Sequence, residues 1–283
     1  MIDLLKPFLS LFIALSAVLG HGVANGELDS RSLGLGALVW FLAMGAGLLN
    51  NYQDRYYDRH FDRTRNRPLA RAEISPSWVA AMALGIICLA LGLLFAFFGS
   101  TGPWIPGLLG IICYNGLYTP MKKKGLGALI PGVICGMLPP AMGWAAAGYS
   151  LPYSGPILVM WVMGLWQVAH FLILQARCPV KDALRAYPVL VRTFPGSALF
   201  HQIFLWTSLY SLSLFLFLLH QGGLGWGAGL AVALNGLCLP LAVGGLLWRG
   251  RLFRIPASTL CHGLLIVSIF IFMAAGLWDG ISA

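Results

Sequence analysis

Apolar runs long enough to cross a bilayer alternate with short polar connections along the whole chain. They occupy roughly residues 7 to 25, 32 to 50, 76 to 99, 103 to 119, 127 to 148, 154 to 174, 197 to 220, 223 to 248 and 258 to 277. A hydrocarbon core about 30 Å thick needs roughly 20 apolar residues per helix, so the pattern predicts nine transmembrane helices and short loops. The expected fold class is all-α: a polytopic membrane protein, with residues 1–283 forming a single transmembrane domain.

Composition agrees. Hydrophobic residues make up 59% of the 283, charged residues only 10%, and mean hydropathy is +0.81, which excludes an ordinary soluble domain. The net charge of +9 comes from 18 Lys and Arg against 9 Asp and Glu. Numbering the loops alternately puts 17 of those 18 cations on one side and only Arg31 on the other. This strong positive-inside pattern predicts a cytoplasmic amino terminus and an outside carboxyl terminus in a bacterial-type inner membrane. The basic balance then reports topology and contact with membrane lipid, with no nucleic-acid partner expected. Ahead of the first run, Asp3 against Lys6 favours a first transmembrane helix over a signal peptide cleaved after Ala24.

Several features read as packing. Cys88, Cys113, Cys135, Cys238 and Cys261 lie in apolar stretches and Cys178 in a loop, without CxxC or paired Cys/His spacing, and are expected to be buried fillers. The glycines of 223–229 are expected to form a close-packed helix seam. Ten Trp, many near span ends, suggest an aromatic belt. His21, His201, His220 and His262 have no partner at metal-ligand spacing, and His60 is expected to be solvated.

The most polar segment follows the second span, from Asn50 to Leu69. Asn50, Asp54 and Asp58 are spaced four apart, so on a helix continuing out of that span they share a face. Two carboxylates there repel unless a cation lies between them. Oxygen donors on an open helix end suit Mg²⁺, which commonly binds through one or two carboxylates plus substrate phosphates, and the Arg cluster downstream offers countercharge for a diphosphate. Spacing alone leaves open a solvated loop whose Asp and Arg form weak surface ion pairs.

The whole string, Asn-x3-Asp-x3-Asp-x4-Arg-Thr-x-Asn-Arg-Pro-Leu, resembles the first signature of the UbiA superfamily of intramembrane prenyltransferases. The segment Tyr118-Thr119-Pro120-Met121-Lys122-Lys123 extends the resemblance. Pro139-Pro140-Ala141-Met142-Gly143-Trp144, Trp166-Gln167-x2-His170-Phe171 and Pro188-Val189-Leu190 are most similar to its haem-farnesylating branch, the protoheme IX farnesyltransferases or haem O synthases.

The resemblance implies a nine-helix bundle around a central cavity open to the cytoplasmic side. It further implies an enzyme that uses Mg²⁺ to ionise a prenyl diphosphate, in this branch farnesyl diphosphate, and transfers the prenyl group to a vinyl of haem B. By position, Asn50, Asp54 and Asp58 would hold Mg²⁺, and Arg63, Arg67, Lys122 and Lys123 would contact diphosphate oxygens. Tyr118 would orient the diphosphate or merely anchor a helix end at the interface. Gln167 and His170 would meet the acceptor, or His170 would be a satisfied helix-contact histidine.

Two departures stand out. After Lys6-Pro7 the family usually has Arg, and this chain has Phe8, so one diphosphate or propionate contact is expected to be missing. Where haem O synthases carry a second acidic cluster, the ungapped positions are Val180, Lys181 and Asp182. Lys181 would then stand in for a second metal ion's charge beside Asp182. A phenolic acceptor such as 4-hydroxybenzoate, or a non-catalytic haem- or lipid-binding protein, stays open; the Pro139-Pro140 break in the fifth span is the one feature a transporter would share.

Overall fold

The computed structural model describes residues 2–61, 64–99, 102–149, 154–177, 196–221, 225–248 and 255–282. Among them are nine long helical segments, one for each predicted span. These are α1 (Pro7–Asn25), α2 (Ser30–Asp54), α3 (Pro76–Phe98), α4 (Trp104–Ile111), α5 (Leu129–Ala146), α6 (Ser154–Arg177), α7 (Gly196–Gln221), α8 (Trp226–Trp248) and α9 (Ile255–Ser282). Helix α4 continues as a π-helical stretch, Ile112–Tyr118, and a last turn, Thr119–Met121. Seven of the helices are long and apolar enough to cross a membrane. The chain is a multi-span membrane protein.

Local chemistry fixes the first hairpin. Gly26 ends α1 in the left-handed region at φ 74°, its N–H bonded to the Gly22 carbonyl, a conformation that costs glycine little. Asp29 then caps α2 in a reciprocal box with Ser32. The Ser32 backbone N–H holds the half-exposed Asp29 carboxyl below its usual range.

Three apolar cores stabilise the bundle. Ala17, Leu35, Val39, Leu42, Ile87, Leu94 and Met142 join α1, α2, α3 and α5; Val162, Trp166, Tyr210, Leu214, Val232 and Leu265 join α6 through α9; Leu4, Leu48, Leu69, Val79 and Ala83 form a smaller third. Consecutive helices pack against one another, and α9 returns to lie against α1 and close the ring. Where α1 crosses α5 the backbones themselves touch. A Cβ at Gly20 would sit 2.2 Å from the Pro140 carbonyl oxygen, and one at Gly143 would sit 2.0 Å from the Ala17 carbonyl oxygen. Only glycine permits this approach.

Three packing expectations need correction. Among the described residues the closest seam is the α1–α5 crossing, whereas a Cβ at Gly227 of the 223–229 stretch would meet nothing within 4 Å and Gly223 lies outside the described residues. Pro139 and Pro140 do not break the fifth span, because α5 runs through both. Cys88 and Cys238 face outward from α3 and α8, and only Cys261 is buried among the described cysteines; on a span an apolar thiol suits a lipid-facing surface as well as a core. Trp78 and Trp226 are exposed at helix starts, as a belt requires, whereas Trp166 is buried in the core.

Candidate active site

The polar signature sits where α2 ends, facing the end of α4. Helix α2 carries Asn50 and Asp54 one turn apart, and the Asn50 amide donates to Asp54 Oδ2 at 3.0 Å. The expected continuous helix stops there. Arg55–Tyr57 form a turn, and Asp58 opens a 3-10 turn through His60. Asp58 is therefore off the α2 face, although it remains buried, as are Asn50 and Asp54.

Charge compensation answers the repulsion between the two carboxylates. Asp54 Oδ2 accepts from the Lys122 ammonium, and Lys123 Nζ lies 3.3 Å from Oδ1. Asp58 Oδ2 accepts from the Arg67 guanidinium at 2.8 Å, and Arg67 also donates to Asn51 Oδ1 at 3.1 Å. Lys123 donates to the Gln53 carbonyl at 3.0 Å and lies 4.4 Å from the Tyr57 ring centroid. The solvated-loop alternative fails on burial, since exposed ion pairs would leave these groups in water.

The π-helical stretch positions the α4 side. Its wider turn brings the Asn115 amide to the Ala46 carbonyl, 3.0 Å, and to Gln53 Oε1, 3.1 Å, while Gln53 donates back to the Asn115 carbonyl at 2.8 Å. Such single-turn insertions recur at functional sites. Thr119 Oγ1 accepts from Asn50 at 3.0 Å and donates to the Tyr114 carbonyl at 2.8 Å. Tyr118 stacks on Tyr114 with centroids 5.8 Å apart and lies against α5, where a Cβ at Gly132 would come within 2.9 Å of its ring. It thus packs, partly buried, against the bundle core.

Lys6 was not singled out by motif or spacing. Its ammonium reaches Asn50 Oδ1 at 3.0 Å, and its backbone lies in the left-handed region at φ 50°, costing roughly 1–2 kcal/mol for a non-glycine residue. Burial, then the Arg67 and Lys122 charges, pull its pKa down to about 7. Burial likewise lowers that of Lys122, against the opposing pull of Asp54. The usable signal was the Lys-Pro step itself, a lone cation just ahead of an apolar helix. Phe8, two positions on, is 87% exposed.

Other predicted residues lie elsewhere. Gln167 packs on Gly136 of α5. His170 meets His262, their ring nitrogens 3.0 Å apart, a pairing that sequence spacing does not show. His60, His201 and His220 are exposed. Arg63, Lys181 and Asp182 lie outside the described residues. No cluster of three or more His, Cys, Asp or Glu exists among those described, so the metal candidates are the hard-oxygen donors Asn50, Asp54 and Asp58. They fit Mg²⁺ in donor type. Asp54 Oδ1 is moreover buried without accepting a hydrogen bond, because Lys123 approaches it outside hydrogen-bond geometry.

Residues 10–252 match the UbiA prenyltransferase family. The chain belongs to that family. Among its UbiA relatives, a protoheme IX farnesyltransferase of Geobacter sulfurreducens is 35% identical over 174 residues, covering 62% of this chain and 64% of that protein. Another, from Oleidesulfovibrio alaskensis, is 34% identical over 160 residues, 56% of each chain. The chain thus spans less than two thirds of the length of these curated relatives. The solved UbiA homolog from Archaeoglobus fulgidus bound to GPP and Mg²⁺ superposes with a TM-score of 0.72 at 16% identity, covering 99% of this chain and 98% of that one. A digeranylgeranylglyceryl phosphate synthase superposes at 0.76, also at 16% identity, covering 100% and 98%. These two likenesses give the fold: the bundle is a UbiA fold.

Proposed function

We propose that this chain is an intramembrane prenyltransferase that farnesylates haem B to haem O from farnesyl diphosphate, with its basic end in the cytoplasm. The observation that carries the reading is the buried convergence of Asn50 and Asp54 with Lys6, Lys122 and Lys123 at one helix end, with Asp58 and Arg67 beside it. That two of the relatives are protoheme IX farnesyltransferases supports haem as acceptor. Asn50, Asp54 and Asp58 would hold Mg²⁺, which when bound offsets charge on the departing diphosphate.

The chain's own residues do the rest. Lys122, Lys123, Arg67 and Lys6 bind diphosphate oxygens as charge builds on the leaving group, and their fixed positions mean that little reorganisation is needed. Partly buried Tyr114 and Tyr118 present π faces that favour an allylic cation, while the apolar bundle excludes the water that would quench it.

Lys6→Met is expected to weaken prenyl diphosphate binding about tenfold or more, the loss of one buried charge-assisted contact. Phe8→Arg, at a position 87% exposed, should change it less than twofold. Isothermal titration of purified protein with a farnesyl thiodiphosphate in the presence of Mg²⁺ reads both.

The direct test gives detergent-purified protein farnesyl diphosphate, Mg²⁺ and haem B and follows conversion to a more apolar haem by chromatography. Conversion that EDTA abolishes and Mg²⁺ restores is the expected result. Prenylation of 4-hydroxybenzoate but not haem would overturn the acceptor, and no transfer to either would overturn the activity.

A further inference from the structure

The turn that leads into Lys122 and Lys123 is wound in a way that its own backbone does not complete. At the end of the stretch Ile112–Tyr118 the Thr119 N–H bonds the Tyr114 carbonyl, five residues back, and not the Asn115 carbonyl four back, as an α-helix requires. The next residue is Pro120, which has no N–H to give. The Asn115 carbonyl therefore loses both of its helical donors. Helix α2 supplies the replacement, because Gln53 Nε2 donates to that carbonyl at 2.8 Å. A backbone group freed by proline inside a membrane bundle needs such a neighbour.

The Asn115 side chain returns the contact. Its amide donates to Gln53 Oε1 at 3.1 Å and to the Ala46 carbonyl at 3.0 Å, while its Oδ1 is buried without a hydrogen bond. Gln53 and Asn115 thus close a ring of hydrogen bonds between α2 and the wide turn. The Gln53 backbone carbonyl also accepts from Lys123 at 3.0 Å, and the next residue, Asp54, meets Lys122 and Lys123 with its two oxygens.

Winding decides where those lysines point. Closing the wide turn to α geometry would shift everything beyond it by one position, about 100° around the axis at 3.6 residues per turn. Lys122 and Lys123 would then swing away from Asp54. In that winding the Pro120 ring would also meet the carbonyl of Gly116, four residues back. Proline thus disfavours the same alternative that the amide pair excludes.

We infer that Gln53 and Asn115 are positioning residues for the diphosphate: their amide pair, together with Pro120, holds the wide turn that delivers Lys122 and Lys123 to Asp54. This rests on the diphosphate site proposed above. Neither residue has to touch the substrate. A merely adhesive pair would join α2 to the wide turn whatever the direction of the two lysines, and substrate affinity would then follow stability.

The test compares full-length wild type, Gln53→Met and Gln53→Met/Pro120→Ala in detergent. Isothermal titration with farnesyl thiodiphosphate and Mg²⁺ reads affinity, and thermal unfolding reads stability. Gln53→Met leaves the Asn115 carbonyl unpaired, so it should melt below wild type and bind about tenfold more weakly, the scale of losing a charge-assisted contact. Adding Pro120→Ala lets the turn close to α winding with its carbonyls paired. The melting temperature should then rise, while affinity stays at least about tenfold below wild type. Affinity that recovers along with stability would overturn the positioning role, and so would Gln53→Met binding within about threefold of wild type. A double variant no more stable than Gln53→Met, including one that does not fold, would overturn the winding argument. The two readings fail separately. Wild type that binds no farnesyl thiodiphosphate removes the diphosphate site and this inference with it, whereas wild-type binding with recovered affinity in the double variant removes only the inference.

Discussion

Asp54→Asn is expected to lower prenyl transfer about 1,000-fold, the scale of losing a preorganised electrostatic group at the reacting centre, while the protein still inserts into membranes. Asp54 is the point where Lys122, Lys123 and Asn50 meet, and its Oδ1 accepts no hydrogen bond although the Lys123 ammonium lies 3.3 Å away. The substitution also leaves two part-buried ammonium groups without their carboxylate, a penalty that could itself unsettle the fold. The double variant Asp54→Asn/Lys122→Met separates the two effects. It should recover detergent stability, read by thermal unfolding, and stay inactive. Transfer within tenfold of wild type in the single variant would remove Asp54 from the mechanism.

Gly143→Ala should be the most damaging single methyl group in the protein. Its Cβ would lie 2.0 Å from the Ala17 carbonyl oxygen and 2.5 Å from the His21 nitrogen, so no side-chain rotation relieves it and α1 must move off α5. Overpacking of this kind costs about 3 kcal/mol or more, enough to lower the melting temperature in detergent by several degrees. Gly85→Ala, where a Cβ meets nothing within 4 Å, should cause no loss. Equal melting temperatures for the two variants would refute the backbone contact.

Much of this was legible in the sequence because membrane burial writes itself into composition. Among the described residues the nine apolar runs became nine helices, and Lys6, Lys122 and Lys123 meet at the end of α2 with Arg67 beside them. The Asn50 and Asp54 pairing followed from helical spacing. Asp58 did not, because hydropathy and i, i+4 spacing carry no information about a helix that stops at Asp54 and turns. Lys6 and Thr119 reach Asn50 from segments 44 and 69 positions away, and such meetings depend on how helices pack. The π stretch was equally hidden, since Ile112–Tyr118 has the same apolar pattern in either winding. His262 seemed isolated for the same reason: its partner lies 92 positions away, on another helix.

The α1–α5 crossing bears on how the protein is made. Ribosomes add roughly 5–20 residues per second, so Gly20 enters the bilayer about ten seconds before Gly143 exists to receive it. During that interval the nascent α1–α2 hairpin carries a bare glycine seam, and Asp54 waits for Lys122 and Lys123, which emerge only after α4. Unclaimed seams of this kind invite wrong neighbours in a crowded membrane. The early hairpin is therefore the stage at which an insertase or chaperone has most to protect, and slowing translation just after α2 should reduce the yield of folded protein more than the same pause after α6.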